Sequence, residues 1–150
     1  MTFVRWYPLG YLLLAVVFST LLTSLSQSGF NLAAIAALTG GLAAGDILFT
    51  LWFDLRHFTV TYAPIALVNL LSVALLIKLL PALARPWLAA LMAALVLYVM
   101  LQLINSLAPM PTLIAANRSA LGTLAMLLCS AAGMGCYLWL LKRRQAYAQV

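Results

Sequence analysis

Four uninterrupted apolar runs constrain this chain more than any other feature. They cover residues 9–25, 63–80, 87–107 and 121–141. About 20 apolar residues of helix match the roughly 30 Å hydrocarbon core of a bilayer. Inside lipid the backbone of each segment must satisfy its own hydrogen bonds, which a helix does. Composition agrees: 67% of the residues are hydrophobic and 7% are charged, against about 25% charged in a soluble domain. A water-soluble globule is excluded. So is intrinsic disorder, which requires low hydrophobicity and high net charge. The expected fold is all-α, an integral-membrane four-helix bundle in a single domain over residues 1–150.

The formal net charge is +6, yet no nucleic-acid partner is expected. Nucleic-acid binders gather Lys and Arg on one water-facing surface. Here Arg5, Lys78, Arg85, Lys142, Arg143 and Arg144 flank the apolar runs. Short basic flanks mark the cytoplasmic side of a membrane. With four spans all three basic clusters fall on one side, so both termini are read as cytoplasmic. The first run reads as an uncleaved span, because its basic flank is only Arg5 and no clear A-x-A cleavage site follows. Membrane lipids are the expected surroundings, and the basic flanks suit anionic headgroups.

Two connections then lie outside, residues 26–62 and 105–120. Within the longer one, 31–53 is too apolar for a solvated loop. A fifth span there would move Arg5 to the outer side, and Gly40, Gly41, Gly45 and Asp46 interrupt it. The expectation is two short helices, 31–38 and 46–57, either re-entrant or lying in the interface. Asp46 suits the N-cap of the second. Gly41 and Gly45 form G-x-x-x-G, read as turn chemistry before close helix packing.

The polar residues of the outer side are the candidates for function. Asp46, Thr50, Asp54, His57 and Thr61 recur at helical spacing and form one stripe. The stripe holds both acids of the chain. Shown to water, it makes an interfacial helix; turned inward over the bundle, it lines a ligand site. Gln27, Asn31, Gln102, Asn105 and Arg118 fall at the same depth. Arg118 is expected to pair with Asp54 or to hold an anionic headgroup. His57 is within helical reach of Asp54.

Other chemistries find too few groups. One His and two Asp are short of a metal set, and one His is short of a paired-His haem. No cofactor is expected. No G-x-S-x-G elbow supports a hydrolase built from Ser26 or Ser28 with His57 and Asp54. Cys129 and Cys136 on one helix stand about 10 Å apart, beyond the roughly 7 Å a disulfide allows. With Gly122, Ala125 and Ala132 they form a small-residue stripe suited to close packing. Asn69, in mid-span, is expected to hydrogen-bond a neighbouring helix.

Two segments carry a family resemblance. Gln27-x-x-Phe30-Asn31-Leu32 and Asp54-Leu55-x-x-Phe58-x-x-x-Tyr62, with the late Arg118, resemble motifs of small four-span inner-membrane proteins of proteobacteria. The resemblance implies a bacterial inner membrane and points to Gln27, Asn31, Asp54, Tyr62 and Arg118. It implies no activity. Arg56-His57 departs from its pattern.

The functional expectation is non-enzymatic: binding of a lipid-like or amphipathic ligand by Gln27, Asn31, Asp54, His57, Tyr62, Asn105 and Arg118, in its handling or transport. The alternatives are an accessory or assembly subunit, packed on a larger membrane complex or on another copy, and a membrane enzyme acting on a lipid headgroup.

Overall fold

The computed structural model describes residues 7–107 and 114–147. The expected anchors Arg5 and Trp6, and part of the shorter outer connection, lie outside the described residues. The elements are α1 (Tyr7–Thr39), α2 (Ala44–Phe53), a π-helical turn (Asp54–Phe58) and α3 (Thr59–Leu79). A 3₁₀ turn (Pro81–Ala84), α4 (Pro86–Leu107), a second 3₁₀ turn (Ala115–Arg118) and α5 (Ala120–Tyr147) follow. Four helices are long and apolar enough to cross a membrane: Pro8–Thr39, Ala44–Leu79, Pro86–Leu107 and Ala120–Tyr147. No strand occurs among the described residues.

The segment 26–62 is not a loop, which corrects the expectation for the outer connection. Helix α1 runs straight through it to Thr39, so no separate helix 31–38 exists. The physical reason is local. The hydroxyls of this stretch bond back to the helix's own carbonyls instead of breaking it: Thr23 to Ser19 at 2.9 Å, Ser26 to Leu22 at 3.0 Å and Ser28 to Ser24 at 3.1 Å. The first true stop is Gly40, at φ +74°, where its N–H closes on the Ala36 carbonyl at 2.9 Å. A glycine in this left-handed conformation is a common helix terminator. The Gly40-Gly41 pair thus serves as a turn.

The second expected helix, 46–57, does form, but as the start of a longer rod. Helix α2, the π turn and α3 are continuous from Ala44 to Leu79. The N-cap of α2 is Ala43 and not Asp46 as expected; Asp46 lies in the first turn and reaches back, its carboxylate accepting the Ala43 N–H at 3.1 Å. Pro64 is therefore interior to this rod. Spanning helices tolerate proline because neighbouring helices and side chains satisfy the freed carbonyl.

The four rods close into a ring. Helix α1 packs on α3 and α5, and α4 packs on the same two, so α1 and α4 occupy opposite corners. Leu12, Ala15 and Val16 meet Tyr62, Ala66, Leu70 and Val73 in the core. Helix α4 contributes Ala89, Ala93, Leu97 and Leu101, one line at four-residue spacing. Two glycines of α5 are required by close approach. A side chain at Gly133 would meet Ser19 of α1, and one at Gly122 would strike the Ala116 carbonyl. The buried face of α5 carries Gly122, Met126, Ser130 and Gly133. It coincides with the expected small-residue stripe only at Gly122, and Ala132 faces outward. Both cysteines are free thiols. Asn69 donates to Ser130 at 2.6 Å, and Ser130 to the Ala93 carbonyl at 3.2 Å, tying α3, α5 and α4 at mid-height.

Candidate functional site: a buried carboxyl at the hairpin end

The basic residues Lys78, Arg85, Lys142, Arg143 and Arg144 stand at one end of the bundle, the end where α3 and α5 finish and α4 begins. Arg143 lies over the Trp139 ring at 5.2 Å there, a cation–π contact suited to an interface. From Lys78 back to Asp54 the rod is about 36 Å long at 1.5 Å per residue. A hydrocarbon slab about 30 Å thick that starts near Lys78 ends near Asp54. The α1–α2 hairpin tip continues beyond that level.

At this level Asp54 is buried, 6% exposed. Its Oδ2 accepts the Ser28 hydroxyl at 2.9 Å and the Asn31 amide at 3.1 Å. The single Ser28 proton is shared between Asp54 and the Ser24 carbonyl. One position before Ser28, Gln27 points to the other side of α1. Its Oε1 accepts the backbone N–H of Ala116 at 2.7 Å in a buried bond. Gln27 thus fixes the second 3₁₀ turn to α1, and Gly122 leaves the room for that turn to sit down.

The π turn decides which residues face inward. Its closing bond runs from the Thr59 N–H to the Asp54 carbonyl, five residues apart. One residue is in effect inserted into the helix. In an unbroken α-helix Asp54 and Tyr62 would differ by about 80° in direction. The insertion takes up about 100° and brings both onto the buried face. Tyr62 is 1% exposed; its ring stacks on Phe58 at 5.4 Å, and its hydroxyl has no hydrogen-bond partner. The same insertion breaks the expected stripe of Asp46, Thr50, Asp54, His57 and Thr61. His57 and Thr61 turn outward. His57 stacks on Phe53 at 4.3 Å and its Nδ1 lies 3.1 Å from the Phe53 carbonyl. It does not reach Asp54, contrary to the expectation.

The other expected members are placed as follows. Arg118 is exposed at the close of the second 3₁₀ turn. The hydrogen bonds to Asp54 come from Ser28 and Asn31. Asn105 is half-buried near the end of α4, on the corner diagonal to α1, and is not part of the Asp54 cluster. Gln102 lines a separate groove between α4 and α5 with Tyr98 and Thr123.

Sequence reasoning passed over the polar face of α1. Ser19, Thr20, Thr23, Ser24, Gln27 and Ser28 are all buried. Their spacing, adjacent pairs repeated every four residues, marks one helix face. That spacing is present in the first apolar run and was the available signal. The Thr20 hydroxyl, the Tyr62 hydroxyl and the Asn69 carbonyl oxygen are buried on this inner side without hydrogen-bond partners.

Beside Asp54 a groove of about 310 Å³ opens between α1 and α2. Asn31, Thr50 and Asp54 are its polar lining; Ala34, Ile35, Leu38, Phe49 and Phe53 are its walls. Phe49 and Phe53 are stacked, with ring centroids 6.0 Å apart. The size lies at the lower end of small-molecule sites. The apolar wall, Phe49 above all, is the part of the groove that the polar pattern of the sequence does not mark. Among the described residues no three His, Cys, Asp or Glu side chains come together. Comparison with known proteins finds no family model that matches the chain, no similar curated protein and no similar solved structure.

Proposed function

We propose that this chain is a small multi-pass membrane protein that binds a lipid-like or amphipathic ligand in the groove at Asp54, in a bacterial inner membrane with both termini in the cytoplasm. One observation carries the reading. The chain's single buried carboxyl is held by Ser28 and Asn31 against an apolar, aromatic-walled groove at the level where a membrane would end. Burying a carboxyl is costly for stability, and here only two neutral donors from α1 offset that cost. An amphipathic molecule has a polar head for the floor and an apolar tail for the walls and the adjoining lipid.

The testing experiment is native mass spectrometry of the protein released from detergent. The expected result is a retained lipid-like mass on the wild-type chain that is lost in the Asn31→Ala, Asp54→Asn double variant. A clean spectrum of the bare chain under gentle release would overturn the reading.

A second reading, an accessory subunit of a larger membrane complex, is favoured by the outer surface of the hairpin. Leu48 and Trp52, which do not line the groove, are more than 60% exposed there. Co-purification of a stoichiometric partner, lost on Leu48→Ser, Trp52→Ser substitution, would support it.

A further inference from the structure

We propose that the groove selects a cationic headgroup, so that the ligand class is an amphiphile with an ammonium or quaternary ammonium head. This rests on the amphipathic-ligand reading above and adds the sign of the charge.

Three observations carry it. First, the charges around the groove are of one sign. Asp54 is the one charged residue that lines it. Helix α1, which forms one wall, has no charged residue over its whole length. On α2 the sole charge is Asp46. None of the neighbouring basic residues lines the groove: Arg56 is exposed, His57 is exposed and stacks on the Phe53 ring, and Arg118 is exposed at the end of the turn that Gln27 holds.

Second, the donors that reach Asp54, the Ser28 hydroxyl and the Asn31 amide, are neutral and both fall on Oδ2. A buried carboxylate is best stabilised by a positive partner. Neutral donors leave that role to a ligand. Third, Phe49 and Phe53 stand on the same groove wall; Phe53 is also stacked on His57, and Phe49, 69% exposed, is the ring left for a ligand. Aromatic faces beside a carboxylate are the surroundings that favour quaternary ammonium groups. An anionic head would meet a carboxylate with no compensating cation in the lining.

The test uses three probes with the same tail: tetradecyltrimethylammonium, tetradecyl maltoside and tetradecyl phosphate. Each is added at equal concentration to the purified chain, and adducts are counted by native mass spectrometry. The expected result is one tetradecyltrimethylammonium per chain, at least tenfold above either other probe. Asp54→Asn should lower that retention about tenfold and leave the maltoside unchanged. Asparagine keeps the oxygen that Ser28 and Asn31 bond, so an unshifted melting curve shows that the fold survives. Phe49→Leu keeps the apolar wall and should lower retention of the cation alone, by about threefold. Equal retention of all three probes, unaltered by Asp54→Asn, would overturn the charge preference and leave the amphipathic-ligand reading standing. Preferential retention of the phosphate would overturn the proposal in favour of an anionic head. Retention of none of the three would sink both readings.

Discussion

Helices α1 and α4 stand at opposite corners of the same ring and bury opposite kinds of residue. The inner line of α4 is Ala89, Ala93, Leu97 and Leu101, an apolar seam whose small members let the helices approach. The inner face of α1 is Ser19, Thr20, Thr23, Ser24, Gln27 and Ser28. The α4 corner packs through apolar side chains, whereas the face of α1 also bonds to its neighbours: Ser19 donates to the Cys129 carbonyl and Gln27 accepts the Ala116 N–H. Its polar residues run from Ser19 to Ser28, where the face meets Asp54. The difference separates a corner that only packs from one that also arranges a site.

Substitutions in the elements packed against the two corners test that comparison. The largest effect is expected at Gly122. Gly122→Val drives a side chain into the Ala116 carbonyl and with it lifts the turn that Gln27 holds. Overpacking of this kind costs about 1–3 kcal/mol, and the melting temperature in detergent should drop clearly. Gly135→Ala is the control: nothing lies within 4 Å of the added methyl, and a helical Gly to Ala change should stabilise by up to about 1 kcal/mol.

Next in size is the mid-height bond. Asn69→Ala removes the donor to Ser130 and should cost about 0.6–1.7 kcal/mol, the usual range for such bonds between spanning helices. A loss well above this would mean that buried polar bonds between the spans carry much of the fold. Third, Asp54→Asn should leave stability within about 1 kcal/mol, since a buried charge adds little net stability, while ligand retention falls. A large drop in melting temperature on this change would make Asp54 structural and erase the distinction between the corners. The smallest effect belongs to His57→Ala. The residue is exposed, and surface changes stay within about 0.5 kcal/mol; ligand retention should not move.

Parts of this were readable from the residues. The four apolar runs, the basic clusters at their ends and the pairing of Asn69 with another helix follow from side-chain chemistry alone. Asp54, Asn31 and Gln27 were singled out because polar groups are scarce in this chain. Gln27 proves to hold a turn, whereas Asn31 and Asp54 line the groove. What misled was distance along the chain taken for distance in space. Residues 26–62 were read as a connection because four spans already accounted for the charges. Yet nothing between Ser26 and Thr39 stops a helix, and the hydroxyls there are accommodated by bonds to their own carbonyls. His57 shares a stripe with Asp54 by helical spacing, and Asn105 shares its depth. The π turn sends the first outward, and the ring puts the second on the diagonal helix.

The sequence by itself determined that the chain is helical, that it lies in a membrane, and where its few polar groups occur along each run. Those are properties of single segments, set by hydrophobicity and by the backbone's need for internal hydrogen bonds. The tertiary structure alone decided which polar groups meet. One π turn at Asp54 inserts a residue, sends His57 out and brings Tyr62 in. The Gly40 turn then folds α2 back along α1, so that Ser28 and Asn31 reach a carboxyl more than twenty residues away. Such meetings depend on the summed rotation and path of two helices, which no local pattern records.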